Sequence, residues 1–285
     1  RIKIGMSSEK KDKFLIQVIN IIDYIDKSVN VYSEYLREWY GLHFPELSKL
    51  IPNHYTFAKL IASLGNRNNF TRENLEAFDL PDNKIETILK AVKDSMGANL
   101  KEDDIIPIKK FANMTKQIYE LRSELAEYLA DGMRDIAPNL TALIGPLLAA
   151  RLISKAGGLE ELAKKPSSTI QVLGAEQALF RSLRTGSKPP KHGIIFQWEY
   201  IHGSPWWVRG KISRALAGKL SIAARLDAFS GEDHGDMLLS ELMARINEIK
   251  EKFSKPKKKP KKRKSHKDLS LIHISEPTRP LYISY

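Results

Sequence analysis

Residues 15–39 read LIQVINIIDYIDKSVNVYSEYLREW. Their apolar positions, Leu15, Val18, Ile22, Ile25, Val29, Tyr32, Leu36 and Trp39, step by 3, 4, 3, 4, 3, 4 and 3. That alternation holds a narrow apolar stripe on one helix face, the pattern coiled-coil packing requires. It predicts a rod of roughly 36 Å at about 1.5 Å per residue. Ser7 and Ser8 stand where an N-cap belongs, and Gly41 where the helix should stop. Phe111, Met114, Ile118, Leu121, Leu125 and Tyr128 repeat the pattern with steps of 3, 4, 3, 4 and 3. Asp103 and Asp104 precede this second helix, and Pro107 is tolerable in a first turn. The two stripes predict an antiparallel coiled-coil hairpin and an all-α fold.

The insert at about 42–100 is broken by Pro45, Pro52, Gly65, Pro81 and Gly97, with helical stretches at Tyr55–Leu64 and Lys84–Met96. It must bury Phe57, Leu60, Ile61, Leu64 and Phe70. A self-contained cap would do this; a dimerisation surface is favoured, because a two-helix rod has little core of its own. Residues 1–137 therefore form the first expected domain. Ala137-Pro138 reads as the joint, with Ala137–Asn139 as a hinge.

Residues 138–253 read as a second, mainly helical domain. Leu140–Ala156 is one apolar helix stopped by Gly157-Gly158, and Leu159–Lys164 a short one stopped by Pro166. Ala175–Arg184 is a helix, Ile194–Phe196 a short strand or a helical turn. Ser204-Pro205 opens a helix running to Phe229, and a last helix covers His234–Phe253. The remainder, 254–285, becomes KPKKKPKKRKSHK from Lys255, a disordered basic tail that either adds RNA affinity or merely solubilises. Residues 269–285 abandon that composition and read as a non-native terminus. The first residue is Arg1 rather than Met, which suggests that a piece precedes it.

The length of 285 residues suits two modest domains, and the net charge of +12 favours a polyanionic partner. The charge is uneven. Residues 1–137 carry 20 basic and 21 acidic groups, whereas 138–253 carry 16 and 11. The absence of cysteine excludes disulfides, thiolate nucleophiles and Cys-ligated metals. No apolar run approaches the roughly 18–20 residues that cross a bilayer, so no membrane partner is expected. The seven histidines form no metal-ligand spacing, and Glu232-Asp233-His234-Gly235-Asp236 reads as a helix start. Gly203-Ser204-Pro205 is no nucleophile elbow, and no glycine-rich phosphate loop or acid–base pair is visible. The expectation is a non-enzyme without metal or cofactor.

The segment 174–230 holds nine Lys or Arg against Glu176, Glu199 and Asp227, a local charge of +6. It also carries Trp198, Tyr200, Trp206 and Trp207. Cations neutralise phosphates and flat rings stack on bases, so the mixture suggests RNA. A solvated basic face over an ordinary core is the competing reading. Phe180, Ile195, Trp198 and Phe229 are assigned to the core rather than to base stacking.

GAEQALFRSLRTGSKPPKHGIIF (174–196) followed by GKISRALAGKLSIAARLDAFSG (210–231) resembles the Nop domain family. The resemblance extends over 7–253, because such proteins place a coiled-coil hairpin before the Nop domain. It is closest to the archaeal member and implies a scaffold of box C/D RNA-guided 2'-O-methylation particles, working as a homodimer. Implied partners are a box C/D guide RNA with a kink-turn and the ribosomal-protein-like protein that binds that kink-turn first. Fibrillarin methyltransferase would dock on an N-terminal domain that this chain lacks. The resemblance implies archaeal cytoplasm, or the nucleolus in a eukaryote. Arg181, Arg184, Lys188, Lys191, His192, Arg209, Lys211, Arg214, Lys219 and Arg225 are the expected RNA-binding residues, and about half of the nine cations are assigned to direct contact. Gly174, Ala175, Glu176 and Gln177 are the expected protein-partner residues; Gln177 stands where the family commonly has lysine. A spliceosomal relative, an RNA-processing enzyme and a purely structural dimer are the alternatives.

Overall fold

The computed structural model describes residues 8–256. The expected cap Ser7, most of the basic tail and the segment read as a non-native terminus lie outside the described residues. Helix α1 (Ser8–Gly41) climbs to a tip made of α2 (Leu47–Leu50), α3 (His54–Leu64), α4 (Arg72–Glu76) and α5 (Asp82–Lys93). Helix α6 (Glu102–Ile136) returns. Cross-contacts pair rising numbers on α1 with falling numbers on α6, so the hairpin is antiparallel. Phe14 meets Tyr128 with ring centroids 6.1 Å apart, and Arg122 donates to Asp26 at 2.9 Å. Ser33 and Tyr119 hydroxyls lie 3.2 Å apart, and Trp39 meets Phe111 at 6.3 Å.

The α1 stripe holds for most of its length: Leu15, Val18, Ile22, Ile25, Val29 and Leu36 are buried. It slips at the end. Trp39 is 42% exposed, while its neighbour Tyr40 is fully buried and donates its hydroxyl to the Gly65 carbonyl at 2.6 Å. The α6 stripe is displaced. Met114, Leu121 and Tyr128 are exposed; the buried face is Ile105, Ile108, Ala112, Thr115, Leu129, Met133 and Ile136. The physical reason is polar pairing inside the seam, where Tyr119 and Arg122 reach Ser33 and Asp26. Glu102, Asp103 and Asp104 sit inside the first turn of α6, facing the positive end of its dipole. Pro107 therefore falls in the second turn rather than the first.

The tip closes its own core. Phe57, Leu60, Ile61, Leu64 and Phe70 are all buried, packed with Tyr40, Phe44, Ile85 and Ile88. The apolar demand that argued for a partner at the tip is met internally.

Helices α7 (Pro138–Ile144), α8 (Pro146–Ala156), α9 (Leu159–Lys164), α10 (Ser167–Val172) and α11 (Glu176–Thr185) follow. After them come a 3-10 turn (Ile194–Gln197), α12 (Glu199–His202), α13 (Trp206–Arg225), a π turn (Leu226–Ser230) and α14 (Gly235–Lys252). The single apolar helix expected at 140–156 is split at Gly145-Pro146, since proline disfavours a helical residue before it. The helix expected to reach Phe229 changes winding after Arg225. No strand occurs among the described residues.

The boundary expected at Ala137 falls inside one continuous core. Leu15, Ile19 and Ile22 of α1 and Leu129 and Met133 of α6 share it with Leu140, Leu152, Ile170, Leu216 and Leu242. Polar ties reinforce the junction. Asp227 accepts from the backbone amides of Asn139 and Leu140, each at 3.0 Å, and from the Asn139 side chain at 2.7 Å. Asn139 in turn accepts from the His234 amide at 2.7 Å and so starts α14. The proposed hinge is thus a clamp. Burial pushes the Asp227 carboxyl up, against the pull of these donors. Asp12 of α1 accepts from the Leu159 amide at 3.0 Å and holds the start of α9.

Candidate RNA and partner interface

Residues 174–193 leave the helical body and return to the same place. The Gly193 amide donates to the Gln171 carbonyl and the Ile194 amide to the Leu173 carbonyl, both at 2.8 Å. The approach is so close that a Cβ on Gly193 would lie 2.0 Å from the Leu173 oxygen, so only glycine is accommodated. Gly174, at φ +84, turns the chain outward.

Helix α11 rides on this excursion, and Ser182 is its one buried residue. Phe180 is 61% and Leu183 72% exposed. Phe180 is therefore not a core residue as the sequence suggested, and neither is Phe229, 64% exposed on the π turn. Ile195 and Trp198 are buried as expected. The amide of Gly174, offered by sequence to a partner or phosphate, already donates to the Glu176 carboxylate at 2.6 Å. Ala175 is half-buried, and Gln177 is exposed.

The predicted cations divide by what already occupies them. Arg181, Arg184, Lys188 and Arg214 are exposed, and their side chains make no ion pair or hydrogen bond with the described residues. Arg209 instead closes the end of α12, donating to the His202 and Ser204 carbonyls at 2.8 Å each. Its guanidinium lies 5.4 Å from the Phe196 ring centre, and the His192 imidazole stacks on that ring at 4.5 Å. Burial, then the Arg209 charge, lowers the His192 pKa and favours the neutral ring. Lys219 pairs with Glu241 on α14. Arg225 donates to the Ala163 carbonyl at 3.3 Å.

Lys191, Lys211 and Arg214 are brought together around one recess, with Pro189, Pro190 and Trp207 as its apolar walls. Two residues that build it carry no charge signal and were missed. Gln171 donates to the Lys191 carbonyl at 2.6 Å, pinning the loop. Gly210 lets the Lys191 methylenes lie against α13; a Cβ there would come 3.3 Å from Lys191 Cδ. A glycine inside a long helix, with no cap to make, is the available sequence sign of such an approach. No group of three or more His, Cys, Asp or Glu among the described residues is arranged to hold a metal ion. No helix among them is long and apolar enough to cross a membrane.

The model of the Nop family, described as "snoRNA binding domain, fibrillarin", matches residues 21–248. An uncharacterized NOP5 family protein of Methanocaldococcus jannaschii is 52% identical over 249 residues, 87% of this chain and 60% of that protein. Nucleolar protein 56 of Dictyostelium discoideum is 43% identical over 234 residues, 81% of this chain and 43% of that protein. Human nucleolar protein 56 is 42% identical over 233 residues, 81% and 39%. The chain thus spans less than two thirds of the length of these relatives. A crystal structure of a fibrillarin/Nop5p complex aligns with a TM-score of 0.49 at 26% identity, covering 84% of this chain and 69% of that one. With its family model running from the middle of α1 almost to the end of α14, this chain belongs to the Nop family.

Proposed function

We propose that this chain is a non-catalytic scaffold of a box C/D ribonucleoprotein. The excursion and the adjoining face of α13 clamp a kink-turn RNA together with the protein that binds that RNA first. The observation that carries this reading is the set of unoccupied cations, Arg181, Arg184, Lys188 and Arg214, on and beside a protruding helix. Free guanidinium and ammonium groups neutralise phosphates without reading base sequence. The exposed Phe180 and Leu183 give α11 an apolar side suited to protein contact. Arg209, Lys219 and Arg225 position the frame rather than the RNA. Fibrillarin methyltransferase is a further partner of that particle. The place of action is the archaeal cytoplasm, or the nucleolus in a eukaryotic setting.

The hairpin serves as the dimer contact of this scaffold. Phe14, Ile21 and Trp39 on α1, with Met114, Leu121 and Tyr128 on α6, leave apolar surface uncovered along the hairpin flank. That flank, not the sealed tip, is the surface a second copy would cover.

A gel-shift titration tests the RNA reading. Kink-turn RNA already carrying its primary protein should bind the chain far more tightly than bare RNA at moderate salt; equal affinity overturns it. Light-scattering mass in the absence of RNA tests the dimer.

A further inference from the structure

The recess between the 188–191 loop and the start of α13 has features that a general phosphate-binding surface does not need. Its volume is about 320 Å³, and no carboxylate lines it. A second recess, at the base of the hairpin, is mainly acidic, lined by Asp12, Glu160, Glu161 and Asp227 with Lys13. The basic recess is lined by stiff rings as well as cations: two successive prolines, Pro189 and Pro190, and the Trp207 indole. The indole N–H already donates to the Phe253 carbonyl at 2.8 Å, which fixes the ring. The Lys211 ammonium lies 4.1 Å from the Phe253 ring centre, over the same anchor. Arg214, exposed and unpaired among the described residues, also lines it. The Gln171 bond to the Lys191 carbonyl keeps the loop from collapsing into the space.

A tryptophan and two prolines beside three cations suit a planar heterocycle carrying a phosphate. Single-stranded RNA is recognised in this way, by unstacked bases laid against rings while cations hold the backbone. We infer that this recess receives one unstacked nucleotide of the bound RNA, its base laid against the Trp207 and proline rings that line it and its phosphate at Arg214 and Lys191. The inference rests on the RNA reading above and adds to it a base-sized subsite, where that reading needs cations alone.

The experiment is an abasic scan. Each nucleotide of the kink-turn RNA outside its paired stems is replaced in turn by an abasic residue, and assembly with the chain is titrated on the RNA–primary protein complex. One position should lose about tenfold in affinity, a typical stacking contribution of ~1–3 kcal/mol per base, with binding of the primary protein unchanged. In Gly210→Leu, a side chain fills the recess without altering charge, and leucine favours the helix more than glycine does. Because the new side chain also presses on Lys191, this variant should bind the intact RNA about tenfold more weakly, with the salt slope falling by no more than about 1 and no further loss at the abasic position. An unchanged thermal midpoint checks that it folds, and the abasic scan on the unmodified chain stands without it. A ribonucleoside monophosphate at millimolar concentration should compete weakly if the recess takes nucleotides from any source, and not at all if the RNA backbone must present them. A flat scan, or full affinity in Gly210→Leu, overturns the inference. It leaves the RNA reading intact as long as Arg181→Ala with Arg184→Ala still weakens assembly.

Discussion

The tip and the excursion are both insertions into a helical frame, and arginines stand at both, yet they are used in opposite ways. In the tip, Arg67 is buried and donates to the His43 and Gly97 carbonyls at 3.3 and 3.0 Å and to the Asn99 side chain. From the end of α1, Arg37 reaches into the tip, donating to the Ser48, Ile51 and Pro52 carbonyls at 2.9, 2.9 and 2.8 Å and covering the Phe57 ring at 4.4 Å. On the excursion, Arg181 and Arg184 touch no acceptor. The residue type is the same; the difference is whether loop carbonyls lie within reach. A guanidinium that satisfies buried carbonyls is part of the fold. One left in solvent is available to a phosphate.

The largest effect that could break this contrast is in the tip. Arg67→Ala should cost about 3 kcal/mol, because it strands buried acceptors. Urea unfolding reads this out, and RNA assembly at a temperature where the variant stays folded should be unaffected. Next, Arg181→Ala with Arg184→Ala should weaken assembly by about thirtyfold, ~2 kcal/mol, and reduce the salt slope by about 2, while the urea midpoint stays put. If the tip variant lost assembly, or the excursion variant lost stability, the division would fail. At the junction between these regions, Asp227→Asn should cost about 1–2 kcal/mol. Asparagine offers one acceptor oxygen where two backbone amides need acceptors, and its own N–H₂ would face a donor.

A smaller effect sharpens the comparison through pH. Burial, followed by the Arg37 charge, lowers the His54 pKa in the tip; burial and Arg209 do the same to His192. A base depressed in the folded state takes up more protons when unfolded. Stability is therefore greatest above the ordinary histidine value of about 6.5 and falls as acidification passes below it. Thermal midpoints between about pH 7 and 5 should drop, and His54→Gln, which retains an acceptor for Arg37, should flatten part of that drop. The smallest expected effect is Leu183→Ser on α11. It should change stability by less than ~0.5 kcal/mol, as an exposed position does, yet weaken assembly if α11 meets a protein partner.

The legibility of the fold varied with what filled the helix seams. On α1, large aliphatic residues occupy the buried positions, so the 3-4 rhythm located them. On α6, the buried face uses Ala112 and Thr115, with Tyr119 and Arg122 bonded across to α1. The larger side chains of Phe111, Met114, Leu121 and Tyr128 form a neighbouring stripe that outranks it by hydrophobicity. Periodicity ranks faces by apolar content and cannot register a polar pair that bridges two helices. The same limit hid Gln171 and Gly210, whose roles are to hold a loop and to make room for one.

What the chain determined unaided is its helical class, the two long rods, the helix stops at Gly41, Gly157-Gly158 and Gly186, and the concentration of positive charge after residue 138. These depend on neighbours within a few turns, where spacing and backbone preference act directly. The tertiary structure alone decided which cations remain free, which aromatic rings face water, and that Ala137–Asn139 is locked. Each of those outcomes depends on acceptors and apolar surfaces supplied from far away in the chain: Asp227 for Asn139, the Ser204 carbonyl for Arg209, and none for Arg181.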